Sequence, residues 1–118
     1  MEPMQVQTIN WKPPQNPRAH VLHIRSVPTM QIHSIGITNR LGLHARAAAK
    51  VVRVASEFRC SVSLVVNGRR ASARSMLAVM MLAASMGSMV RLETSGPDED
   101  AAMTAMVRLI GEGFGEKQ

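Results

Sequence analysis

One stretch narrows the choice of fold more than any other: "CSVSLVVNGRRASA", residues 60–73. Cys60, Val62, Leu64 and Val66 alternate with Ser61 and Ser63, the pattern of a strand with one buried face. Asn67-Gly68 follows at once. A two-residue type I′ turn needs positive φ at both central positions, and Asn-Gly tolerates that better than almost any other pair. The chain then returns with Ala71 and Ala73 turned inward. Residues 60–73 are therefore expected to form an antiparallel hairpin with one apolar face that needs a cover.

The flanks supply that cover. Upstream, Gln31 to Ile37 reads as a strand with His33, Ile35 and Ile37 on one face, and "TNRLGL" as a loop. From Ala45 the apolar positions Ala48, Val51, Val52 and Ala55 recur at helical spacing, predicting a helix to about Glu57. Downstream, Ser75 is a natural N-cap, because its hydroxyl can accept from a free first-turn amide. Leu77, Met80, Met81 and Ala84 then mark the inward stripe of a second helix, in a region that Gly87 ends. Met89 to Thr94 alternates with Val90 and Leu92 inward. Gly96 breaks that strand, and Pro97 suits the first position of a third helix. Asp98, Glu99 and Asp100 would load its first turn, where the helix dipole favours negative charge. Met103, Met106, Leu109 and Ile110 form its buried stripe, and Gly111 and Gly113 end it. The order is β-α-β-β-α-β-α. That is an α+β chain with one sheet and all helices on one face, built as a split βαβ.

A chain of 118 residues fits a single domain. Aromatics are only 3 %, so Met, Leu, Val and Ala must fill the core. Residues 1–29 stand apart: they hold five of the six prolines and show no sustained periodicity. They read as a disordered N-terminal extension, with the folded domain at 30–118. Met30 opens the first patterned stretch, so one expectation is that the extension is an upstream start-site artefact. Cys60 is the sole cysteine, which precludes an internal disulfide and leaves no zinc-type spacing. No apolar run approaches the roughly 20 residues of a membrane span, and no secretory h-region precedes the domain. The expectation is a soluble cytoplasmic monomer with no metal and no cofactor.

The net charge is +6, and its distribution is uneven. From Arg40 to Arg74 eight bases stand against one acid, Glu57, whereas Glu93 to Asp100 holds four acids and no base. A basic segment of this kind attracts phosphate, nucleic acid or an acidic partner. Nucleic acid is the poorest match, because RNA-binding sheets stack bases on aromatic rings. This chain has no Tyr and only Phe58 and Phe114 besides Trp11 in the extension.

The chemistry concentrates at "LGLHARAAAK", residues 41–50. His44 immediately precedes the first helix, and Gly42 permits a tight bend before it. The first amides of a helix lack internal partners and carry partial positive charge, a ready seat for phosphate. Arg46, in the first turn, offers a donor fork that matches phosphate oxygens. The positive surroundings disfavour imidazolium, so a neutral, nucleophilic ring is expected, with donors ready to stabilise a phosphoryl group on it. A solvent-exposed or capping histidine fits the same local sequence. No second acid/base partner for His44 is evident.

These residues resemble the active-site motif of HPr, the histidine-containing phosphocarrier of bacterial phosphotransferase systems. The Asn-Gly hairpin, "SMLAVMMLAA" (residues 75–84), "GPDEDAA" and the closing "GFGE" fall in register with the same family. The resemblance covers about residues 30–118. It implies an open-faced β-sandwich, a four-stranded antiparallel sheet with three helices on one side. It implies that His44 takes a phosphoryl group on Nδ1 from enzyme I, itself charged by phosphoenolpyruvate, and passes it to a IIA-type acceptor. Arg46 would steady the phosphate, and Ser75 would be the regulatory serine of an HPr kinase/phosphorylase. Met76, Ala78 and Ala47 would touch partners. The chain would be a covalent carrier and not a self-sufficient enzyme. It departs from the common pattern at Ala47, where many members have proline, and at Met76-Leu77-Ala78, where many read Ile-Met-Gly. Two other classes remain as alternatives: a regulatory interaction module acting through Ser75, and a basic nucleic-acid-binding module.

Overall fold

The computed structural model describes residues 29–116. The extension assigned to residues 1–29 lies outside the described residues except for Thr29. Thr29 belongs with the folded part: its hydroxyl donates to Glu99 Oε1 at 2.7 Å, and its carbonyl accepts from Ser95 Oγ at 2.7 Å.

The elements are β1 (Gln31–Gly36), α1 (Ala45–Ala55), β2 (Ser61–Val66), β3 (Arg69–Ser72), α2 (Met76–Met81), β4 (Met89–Ser95) and α3 (Glu99–Gly111), with a 3₁₀ turn at Gly113–Gly115. The four strands form one sheet in the order β1-β4-β2-β3, antiparallel throughout. The expected α+β architecture holds: an open-faced sheet with three helices packed on one side. β1 and β2 run parallel with β4 between them, and α1 makes the crossover. β3 and β4 run parallel with β2 between them, and α2 makes that crossover. Two split βαβ units are thus interleaved.

The hairpin between β2 and β3 turns at Asn67 (φ 51°) and Gly68 (φ 77°), both in the left-handed region. It directs Val62, Leu64, Val66 and Ala71 toward the helices, where all are buried, as are Val90 and Leu92 of β4. Above them lie Ala47, Ala48, Val51 and Ala55 of α1 and Ala102, Met106 and Ile110 of α3. The alanines let the α1 backbone approach the layer closely. Each fully buried Val, Leu or Ile contributes roughly 1.5–3 kcal/mol. No helix among the described residues is long and apolar enough to cross a membrane.

Three local expectations change. α2 turns a different face inward: Val79 is buried, followed by Leu82 and Ala84 beyond the helix end, whereas Leu77 is 71 % and Met81 59 % exposed. The run from Met76 to Ala84 is apolar on every side, so no polar stripe sets its phase, and a six-residue helix presents little more than one face. β1 is an edge strand, so His33 and Ile32 are exposed, while Ile35 packs against the core and Ile37 is buried just past the strand end. Pro97 precedes the N-cap Asp98 instead of opening α3. The Asp98 carboxylate does not cap its own helix. It accepts from the backbone amides of Arg59 and Cys60, each at 2.9 Å, and fastens the start of β2 to the front of α3. Burial, reinforced by Asp98, pushes the Cys60 thiol up to about 11, which leaves little thiolate for nucleophilic chemistry.

Glu93 lies on the helix-free face of β4, covered by Arg70 of β3 and Arg91 of its own strand. The Arg70 guanidinium, followed by Arg91, holds its carboxyl below the ordinary 4.5. A carboxyl depressed in the folded state adds stability that is complete above its ordinary value and is lost as pH falls through the folded one. The melting temperature should therefore drop as pH falls below 4.5, and Glu93→Gln should flatten part of that acid limb. Thermal melts of both proteins across an acid series check this.

Candidate functional site

The loop between β1 and α1 is held at both ends. Leu43 donates its amide to Ala84 O at 2.9 Å, tying the loop to the segment after α2, and the Leu43 side chain is buried. Asn39 is fully buried and directs its side-chain amide to Gly42 O and to Glu116 Oε1, each at 2.9 Å. Its own Oδ1 is left without a partner. An unpaired buried polar atom costs roughly 1–3 kcal/mol, so this Asn is not an optimal core residue. What it secures is the loop ahead of His44 and the carboxylate beside it.

His44 occupies the N-cap of α1 in an extended conformation, and no side chain caps that helix. The amides of Ala45, Arg46 and Ala47 are thus left without intrahelical acceptors. The ring is partly exposed, with Nε2 2.5 Å from Glu116 Oε2. An open cleft of about 720 Å³ is lined by Leu41, His44, Ala45, Arg46, Lys50, Gly115 and Glu116. Arg46 is exposed in the first turn of α1, and it makes no ion pair among the described residues. Lys50, one turn further along, donates to Phe114 O.

Glu116 reaches the ring because of the turn before it. Gly113, Phe114 and Gly115 have φ of 62°, 57° and 73°, three successive left-handed residues. Glycine takes that conformation freely, whereas a bulky residue in it stores strain of roughly 1–3 kcal/mol. Burial of the Phe114 ring and the Lys50 bond to its carbonyl hold it there. Hydrogen bonding from Asn39, and next from His44 with Lys50 nearby, keeps the Glu116 carboxyl below its ordinary 4.5.

The fold therefore brings His44 and Arg46 to one cleft and adds three residues to which the sequence reading gave no role there: Glu116, Asn39 and Lys50. The expectation that His44 lacks an acid/base partner is corrected, because Glu116 is hydrogen-bonded to it. The neighbours of the ring are therefore not all positive, since this carboxylate lies against Nε2. The expectation that Ala47 touches partners is also corrected. Ala47 is 0 % exposed, since its position on α1 faces the sheet. Ala78 packs partly against the core, and Met76 is exposed. Ser75 caps α2, accepting from the Ala78 amide at 3.2 Å.

Comparison with known proteins places this geometry. Residues 33–112 match the family model described as "PTS HPr component phosphorylation site". The chain belongs to the HPr family. As an HPr-family member it is a phosphocarrier of the phosphotransferase system. The phosphocarrier protein HPr of Cupriavidus necator is 54 % identical over 80 residues, which is 68 % of this chain and 90 % of that one. The HPr of Xylella fastidiosa is 44 % identical over 84 residues, covering 71 % and 94 % of the two chains. Among solved structures, an HPr of Thermoanaerobacter tengcongensis superposes with a TM-score of 0.72 at 38 % identity, over 75 % of this chain and 99 % of that one.

Proposed function

We propose that His44 carries the phosphoryl group on Nδ1, accepting it from enzyme I and ultimately from phosphoenolpyruvate, and passing it to a IIA-type acceptor. The observation that carries this reading is the placing of a partly exposed imidazole at the uncapped N-terminus of α1, in a cleft shared with Arg46 and Lys50. Arg46 and the first-turn amides of Ala45 and Arg46, which line the cleft, stabilise the phosphoryl oxygens. A helix N-terminus contributes about 0.3–1 kcal/mol to an exposed anion and up to about 2 when partly buried. Values of that size hold a phosphoimidazole without trapping it, which suits a carrier that works only between a donor and an acceptor in the cytoplasm.

Partners dock on the apolar surface of α2. Met76, Leu77, Met80 and Met81 are all exposed there, and Leu41 is exposed at the mouth of the cleft. Flexible methionines suit a surface that must meet more than one partner. Ser75 opens the same helix, and we assign it as the site for an HPr kinase/phosphorylase. A phosphate at a helix N-terminus is compatible with the fold, while its charge of about −1.5 to −2 changes the docking surface. The nucleic-acid reading loses support, since part of the basic segment is engaged internally: Arg70 with Glu93, Arg74 with Ala55 O and Phe58 O, Lys50 with Phe114 O.

Incubation with enzyme I and phosphoenolpyruvate, followed by tandem mass mapping at neutral pH, tests the assignment. The phosphate is expected on His44. Phosphate found on another residue, or on none, overturns it.

A further inference from the structure

We propose that Lys50 is a second cation for the phosphoryl group: its ammonium, anchored on the carbonyl of Phe114, turns its remaining donors to the oxygens of a phosphate on His44. This rests on the reading of His44 as the phosphorylated residue.

Placement is the first ground. Lys50 stands four residues after Arg46 on α1, so the two side chains share one face of the helix. Long side chains on a helix lean toward its N-terminus. The Lys50 stem therefore runs back along α1 toward His44, and both residues line the same open cleft.

Fixation is the second ground. Arg46 is exposed, whereas Lys50 is half-buried and donates to Phe114 O. That carbonyl belongs to a residue at φ 57°, in the turn that leads to the cleft residues Gly115 and Glu116. A cation already held in place has less side-chain entropy to lose when an anion arrives. Its charge is also screened less than that of an exposed arginine.

Spare capacity is the third. An ammonium has three N–H donors, and among the described residues Lys50 spends them only on a neutral carbonyl. Lys50 helps to keep the Glu116 carboxyl below its ordinary 4.5, yet no ion pair joins the two. Charges withdrawn from water are normally paired, and a phosphoryl group on His44 supplies the counter-charge.

In the transfer the Nδ1 lone pair forms the bond to phosphorus, and the electron pair of the broken bond leaves with the donor. Lys50 neither gains nor loses a proton. It keeps its bond to Phe114 O and adds contacts to the phosphoryl oxygens, as Arg46 does from the preceding turn. A carrier with two cations at the phosphate takes a larger share of it from enzyme I than one with Arg46 alone.

The test uses the full chain as wild type, Lys50→Gln and Lys50→Arg. Gln keeps a donor for Phe114 O without the charge, and Arg keeps the charge. Thermal melts of the unphosphorylated proteins check the fold. Each protein is then equilibrated with phosphorylated enzyme I, the labelled residue is mapped, and the division of phosphate between the two proteins is measured. The equilibrium constant for the carrier should fall about fivefold in Lys50→Gln, the upper end for a half-exposed pair of charges, and stay within about twofold in Lys50→Arg. In wild type the Lys50 ¹⁵Nζ signal should move on phosphorylation, a readout that needs no variant. An unmoved signal, a wild-type equilibrium in Lys50→Gln, or an equal loss in Lys50→Arg, each with phosphate on His44, overturns this proposal alone. Phosphate on another residue overturns the reading of His44 and this proposal with it.

Discussion

His44→Ala should abolish the acid-labile phosphate that the chain takes from phosphoenolpyruvate through enzyme I, a loss of about 10³-fold or more, because the variant lacks the nitrogen on which the intermediate forms. The fold should be almost untouched. His44 makes no side-chain cap bond, and a partly exposed pair such as His44–Glu116 is worth only about 0–1 kcal/mol. The measurement is labelled phosphate retained at neutral pH and released by acid, beside a thermal melt of the same samples. Equal labelling of the two proteins would sink the assignment. A variant that melts far below wild type would show instead that the ring is a structural element. Cys60 offers no substitute nucleophile, being buried with its thiol pushed up to about 11.

Gly42→Ala should be the most damaging single substitution near the site. Gly42 sits at φ 65°, and a Cβ there would lie 2.3 Å from Ala84 O and 2.8 Å from Ser85 Cα. Both obstacles are backbone, so neither can turn aside as a side chain would. Strain at positive φ together with a displaced loop is expected to destabilise by about 3 kcal/mol. The bond from the Leu43 amide to Ala84 O lies at the same contact and should weaken with it. Chemical denaturation measures the stability loss, and phosphate acceptance should fall in parallel because His44 is two residues away. Wild-type stability in this variant would mean that the loop has another packing available.

The fold was legible where polar and apolar residues alternate. Val62, Leu64 and Val66 against Ser61 and Ser63 define a face, and Asn67-Gly68 closes the hairpin, so β2 and β3 followed directly. α1 was legible because Lys50 and Arg53 lie on the face opposite its apolar stripe. α2 was not, because Met76 to Ala84 carries no polar residue to fix which side turns inward. His44 and Arg46 were legible as a pair since they adjoin in sequence and share a helix start. Glu116 was hidden for the opposite reason: the residues that bring it to the ring lie at the far end of the chain, and the backbone angles of Gly113, Phe114 and Gly115 have no signature stronger than two glycines around an aromatic. Asn39 read as a loop residue, and only its complete burial reveals what its amide holds.

The interleaving of the two split units has a kinetic consequence. Only β2 and β3 are neighbours both in sequence and in the sheet. The central strand β4 must pair with β1 and β2, both made long before it, so the sheet cannot close until nearly the whole domain has left the ribosome. Chains dominated by such distant pairings fold on the slower side of single domains. Neither half can be excised as an autonomous fragment, since each cut removes a strand from the middle of the other's sheet.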